Sequence, residues 1–221
     1  MNLLVLSDND VELAIAKKML ESHHCNKQFI VSQKSENDGI GERIDLDINN
    51  VVEFADFCLL NGIKLVVGNN KKLVENNLLN KIEQINSLSQ IIKVLPSKEV
   101  EFANDVLRQD DDLEINIIAL TNSIDFKIIA QQNENVIHKI EEEIISPFIK
   151  NLQSKKIKYN GFLSFEVIKR SNNCTLSKVT SVIENDLAEK IFSNLETDLV
   201  SLFAAMDNGT LEDVNIEFYE N

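Results

Sequence analysis

Short runs of consecutive apolar residues alternate with helical-period stretches through the first third of the chain. This pattern predicts strand–helix–strand–helix–strand over residues 1–68. The run LLVL at 3–6 predicts a buried strand that stops at Ser7-Asp8-Asn9-Asp10, where Asp8 or Asn9 caps a helix over 11–20. Residues 28–32 predict a second strand, followed by the polar, glycine-containing loop SENDGIGE at 35–42. Asn49 or Asn50 caps a helix over 51–60, Asn61-Gly62 ends it, and 63–67 predict a strand that stops at Gly68. Alternation of this kind implies a parallel sheet with helices on its faces. Such sheets bind ligands beyond the carboxyl ends of their strands, here residues 7–10 and 68–70, so Gly68, Asn69 and Asn70 are the candidate substrate-binding residues.

The pattern continues with a helix over 73–85, a strand over 91–95 stopped by Pro96, and a helix over 98–107. It changes after RQDDD at 108–112, a charged stretch that predicts a linker. Two β-like runs, 114–120 and 126–130, flank TNSID as a hairpin, and a second pair, 161–168 and 176–183, flanks RSNNCT. Between the hairpins a helix over 138–152 contains Pro147, which predicts a kink or break. Residues 187–205 predict one helix, or two with a joint near Glu196, and 214–219 a last strand. The fold class is therefore α/β: an N-terminal doubly wound parallel-sheet domain over 1–107, a linker over 108–112, and an α+β domain over 113–221.

Composition narrows the function. Hydrophobic residues are 43% and charged residues 26%, which excludes a disordered or collagen-like chain. No apolar run approaches the roughly 18 residues a membrane span needs, and the opening run is too short for a signal peptide, so a cytoplasmic protein is expected. The net charge of −14 argues against nucleic acid and anionic membrane as partners, because both need a basic footprint. Cys25, Cys58 and Cys174 are far apart and read as buried thiols rather than a disulfide framework or a zinc site. The 19 Lys against 3 Arg, with 27 Asn and 26 Ile, are residues of A/T-rich codons and point to an A/T-biased gene.

Candidate chemistry is sparse. A phosphate-binding turn needs glycines after the first strand, whereas Ser7-Asp8-Asn9-Asp10 offers two carboxylates and none. Gly39 and Gly41 read as a turn. His23-His24-Cys25 cannot share an ion easily, because adjacent helical side chains diverge. His138 reads as a solvated helix start, and the runs 110–112 and 141–143 as solvated acidic faces. No catalytic residue and no metal ligand is predicted.

Several stretches resemble the glycinamide ribonucleotide synthetase (phosphoribosylamine–glycine ligase) family. IIALTN at 117–122, EEEIISPFIKNLQSKKIKYNGFLSFEVI at 141–168 and TDLVSLFAAMDNGTLEDVNIEF at 197–218 follow that family's order, as does NNVVEFADFCLLNGIKLVVGNNKKLVENN at 49–77. The resemblance implies that the second domain is a partial ATP-grasp-like domain. It also implies a relationship to a ligase that joins glycine to phosphoribosylamine with ATP and magnesium in purine synthesis.

The departures from that family are informative. Its glycine-proline-glutamate is Gly68-Asn69-Asn70 here, its central ATP-binding region has no counterpart between about 107 and 114, and its basic stretch is Ala130-Gln131-Gln132-Asn133-Glu134-Asn135. Ser181 and Ile183 stand where the resemblance places its metal-binding glutamate and asparagine. Magnesium needs hard oxygen ligands, and phosphoryl transfer depends on them. The expectation is a catalytically inactive homologue that holds no ATP or magnesium. The alternatives are a module that binds a protein partner or a second copy of itself, and an enzyme that binds a small metabolite at Gly68–Asn70.

Overall fold

The computed structural model describes residues 1–32, 39–122, 124–157 and 159–219. Positions 35–38 of the predicted polar loop and Ser123 of the first hairpin turn lie outside them. The first half forms a five-stranded parallel sheet of β1 (Asn2–Ser7), β2 (Lys27–Ser32), β3 (Glu42–Ile44), β4 (Ile63–Val67) and β5 (Ile92–Val94). Its order is β3-β2-β1-β4-β5, the doubly wound arrangement. The run at 3–6 is continuously apolar because both faces of β1 are covered: Leu3 and Val5 face one core, Leu4 and Leu6 the other. Helix α1 (Asp10–Leu20) covers the first face and α2 (Val51–Leu60) the second, joined there by α3 (Lys71–Glu75) and α4 (Leu78–Glu83).

The second sheet is antiparallel, ordered β6-β10-β9-β7-β8, from β6 (Glu101–Ala103), β7 (Leu113–Thr121), β8 (Phe126–Ile129), β9 (Gly161–Arg170) and β10 (Asn173–Thr180). One face packs on α5 (Glu134–Ile140), a π-turn (Glu141–Ile145) and α6 (Ser146–Ser154). The other face meets α7 (Asn185–Asn194) and α8 (Leu199–Asn208), which also pack on α1 and β5. One apolar core thus runs from Leu3 and Val5 through Phe192 and Phe203 to Ile118, Leu120 and Phe162.

Several predicted elements differ, each for a tertiary reason. Residues 98–107 are not helical: Glu101–Ala103 pair with Thr180–Lys178 at the outer edge of β10, upstream of the predicted boundary at 107. Sheet hydrogen bonds there override a weak local helical preference. The single helix over 73–85 is two, broken at Asn77 in the left-handed region (φ 51°). Pro147 causes no isolated kink; it sits in the first turn of α6 behind the π-turn, whose wider i→i+5 bond from Ser146 N–H to Glu141 O accommodates the change in path. Residues 214–219 form one bridge, Leu195–Phe218, rather than a strand. Two helices with a joint replace 187–205, as the second reading had it.

The predicted linker is held down by ions. Arg170 Nε and Nη2 each donate to Asp112 at 2.7 Å, and Arg108 reaches Glu114 at 2.6 Å and Glu166 at 2.8 Å. The Arg170 guanidinium and the Gln109 N–H push the Asp112 carboxyl down to about 2, from an ordinary 3.8. A depressed carboxylate pKa stabilises the fold above the ordinary value, and that contribution disappears as pH falls through the folded one. Thermal unfolding between pH 5 and about 2 is expected to show the wild type losing stability more steeply than Asp112→Asn, which lacks this ionisation. Parallel profiles would show that the pair contributes nothing.

Candidate functional site

The carboxyl ends of β1 and β4 converge on one buried carboxylate. Asn9 caps α1 by accepting from the Val11 N–H at 2.8 Å, and Glu12 closes the capping box. Glu12 is fully buried. Its Oε2 accepts from the Asn9 N–H at 3.1 Å; its Oε1 accepts from the Asn69 N–H at 3.1 Å and from Asn70 Nδ2 at 2.9 Å. Burial raises the Glu12 pKa above 4.5, against the lowering effect of these donors, with Asn70 first among them.

Gly68, Asn69 and Asn70 are all buried in this knot. A side chain at Gly68 would overlap Leu73 Cδ1. Asn69 reaches across to the second sheet's side: its Nδ2 donates to Ser181 O at 3.0 Å and its Oδ1 accepts from the Ile183 N–H at 3.0 Å. Ser181 Oγ in turn accepts from the Val100 N–H at 3.1 Å. The amide groups of Asn69 are thereby spent on a clasp between the β4 turn and the segment after β10. Asn70 caps α3 through the Leu73 N–H.

Several clefts open on the surface: a small one borders the clasp at Lys71, Val100, Ser181 and Ile183, and another lies on the second sheet beside α7. The latter, of about 280 Å³, is lined by Asn116, Ser164, Glu166, Lys178 and Thr180 from the sheet, with α7 residues including Asp186 and Lys190. Register puts Asn116, Glu166 and Lys178 in one cross-strand row and Ser164 and Thr180 in the next. Most of the charges there are already paired. Arg108 bridges Glu114 and Glu166, and Lys178 turns to Glu184 at 3.2 Å. The Asn116 amide, followed by Arg108, holds Glu114 below its ordinary pKa.

The other sequence candidates do not converge. His23 and His24 are exposed. His138 lies 3.4 Å from Glu142 on an exposed helical face, and Gly39 occupies an open turn at φ 83°. Of the three thiols expected to be buried only that of Cys58 is, which pushes it up to about 12, while Cys25 and Cys174 are half-buried at the edges of their cores. Among the described residues no three His, Cys, Asp or Glu side chains group to hold a metal, and no helix is long and apolar enough to cross a membrane.

Positions 181 and 183 do not fit magnesium. The Ser181 hydroxyl is 2% exposed and engaged by Val100, and Ile183, also 2% exposed, offers no oxygen on its side chain. Sequence reasoning missed Glu12 as a hub, although its place three residues after Asn9 is a capping-box signature. It also missed the cleft row, whose only signal is polar residues at alternate positions of otherwise apolar strands.

No protein-family model and no curated protein sequence matches the chain. Solved structures do. A single-chain, multi-domain long-chain acyl-CoA carboxylase aligns with 95% of this chain at 13% identity and a TM-score of 0.53, the match spanning 26% of that protein. The biotin carboxylase domain of a thermophilic 2-oxoglutarate carboxylase, bound to bicarbonate, aligns with 97% at 12% identity and a TM-score of 0.53, spanning 72% of that chain. The biotin carboxylase domain of a single-chain bacterial carboxylase aligns with 99% at 10% identity and a TM-score of 0.54, spanning 71%. The likeness is one of fold: a parallel-sheet unit followed by an antiparallel-sheet unit.

Proposed function

We propose that this chain is a catalytically inactive ATP-grasp relative of glycinamide ribonucleotide synthetase, a cytoplasmic protein that binds neither ATP nor magnesium. The observation that carries this reading is the fate of Ser181 and Ile183. At the positions the sequence resemblance assigns to metal ligands, both are drawn into the buried Asn69 clasp. The short connection from Ala103 to Leu113 adds support, because it leaves no room for a central nucleotide-binding region. In this reading Gly68, Asn69 and Asn70 hold the fold together instead of a substrate.

Such a chain acts by binding, to a protein partner or a second copy. Helix α2 supports this: Val52, Leu59 and Leu60 are 71%, 51% and 86% exposed on its outer side. Calorimetry with ATP and magnesium is expected to give no heat, and thermal unfolding no shift. Clear binding, or ligase turnover with glycine and phosphoribosylamine, would overturn the inactive reading. A single-chain mass in light scattering together with an empty pull-down would remove the binding role.

A further inference from the structure

The second sheet ends on an open edge. β8 is its last strand and pairs only with β7, with Phe126, Lys127 and Ile128 partly exposed. Facing residues of an antiparallel pair alternate between exchanging hydrogen bonds and making none. The Asn122 N–H donates to Asp125 O at 3.2 Å, which fixes the phase of that alternation. The Lys127 backbone therefore turns to Leu120, and the N–H and C=O groups of Phe126 and Ile128 point outward. Among the described residues nothing bonds to these four groups.

A cleft of about 620 Å³ follows this edge and is lined from both faces of the sheet. On one face Phe126 and Ile128 join Ile137 of α5 and Ile149 of α6 in an apolar wall. On the other face stand Lys127 and Ile216. The Lys127 ammonium donates to the neutral Glu212 carbonyl at 3.2 Å and meets no carboxylate among the described residues. The carboxylates of Asp125, Glu141 and Glu212 also line the cleft, but none lies on β8, where cross-strand pairs set the charge match.

We propose that β8 accepts an added antiparallel strand from a protein partner, one that presents an acidic residue between two apolar residues. Its backbone would bond to Phe126 and Ile128, as in other strand additions to a sheet edge. The two apolar side chains would enter the wall at Ile137 and Ile149. The acidic one would face Lys127 in a non-hydrogen-bonded pair, where side chains approach most closely. Charge selects this occupant over a second copy. Self-pairing in the register that uses all four outward groups sets Lys127 against Lys127, and each copy carries a net charge of −14. The proposal rests on the binding role proposed above and gives its partner a chemistry.

Fluorescence anisotropy on the full chain tests this with two labelled, end-blocked peptides whose cores are Ile-Glu-Val and Ile-Lys-Val. Wild type is expected to bind the acidic peptide about fivefold more tightly, the swing between opposite and like charges across a strand pair. Lys127→Glu, a change at the surface, is expected to invert that preference. Methylating the backbone nitrogens of the two apolar peptide residues removes the donors to β8 and is expected to weaken binding at least about tenfold. No binding of either peptide, equal affinity for both, or full affinity of the methylated peptide overturns the proposal. A dimer of the free chain that the acidic peptide dissociates would make a second copy the occupant and overturn it as well. A partner captured in the pull-down that the peptide does not displace would sink this site alone and leave the binding role to α2.

Discussion

Phe162→Ala is expected to destabilise the protein by about 4 kcal/mol, the range for truncating a fully buried aromatic. Phe162 is 1% exposed on β9, and its ring meets Phe192 of α7 at 5.7 Å and Phe203 of α8 at 5.8 Å, both edge-on. Such pairs add roughly 0.5–1.5 kcal/mol each beyond buried area. The position is decisive because α7 and α8 also cover the first sheet, so the cavity would open in the core that both sheets share. Urea unfolding should therefore remain one transition, displaced as a whole to lower denaturant. Two transitions, with only one displaced, would mean that the sheets unfold independently and that the shared core is not cooperative.

Glu12→Ala is expected to cost about 3 kcal/mol, since it strands buried N–H donors at a rough cost of 1–3 kcal/mol for each unsatisfied group. The donors are the backbone N–H groups of Asn9 and Asn69 and the Asn70 amide. Relief of the burial cost of the charge offsets part of this loss. Glu12→Gln keeps an acceptor for Asn69 and Asn70 but sets an NH₂ against the Asn9 N–H, and is expected to cost about 1 kcal/mol. The pH dependence has the opposite sign to that of Asp112. Burial raises the Glu12 pKa, so on acidification the native state takes up this proton before the unfolded chain does. The contribution of Glu12 to stability then rises as pH falls through its raised value toward 4.5. Denaturation midpoints of the two variants from pH 7 to 5 check this. Equal losses for Ala and Gln would remove the hub role from Glu12.

Local signals carried the first half of the chain well. Continuous apolar runs at 3–6 and 63–67, with caps at Asn9 and Asn50, became β1, β4, α1 and α2. Those runs are continuous because helices cover both faces of a parallel sheet, and that burial leaves a direct trace in composition. The hairpins β7–β8 and β9–β10 were equally legible from paired β-like runs around polar turns. Elements whose partners are distant in sequence left no such trace. Glu101–Ala103 became a strand only because the edge of β10, some seventy-five residues later, accepted it. The π-turn before Pro147 likewise answers to packing against the second sheet.

The candidate site divides the same way. Residue types alone showed that Ser181 and Ile183 offer magnesium poor ligands, since that depends on side-chain chemistry and not on position. The sequence also placed Gly68–Asn70 at the end of a strand beside the switch in strand order. Whether that turn faces solvent was settled by Glu12 and by the segment after β10, which bury it from both sides. Likewise, Arg108 reads as part of a solvated charge run until the register of β7 against β9 brings Glu114 and Glu166 under one guanidinium. Periodicity and turn chemistry act between neighbours and so determined the elements and the fold class. The clasp and the cleft join residues roughly sixty to a hundred and ten positions apart, and only the folded chain pays the loop-closure entropy that brings them together.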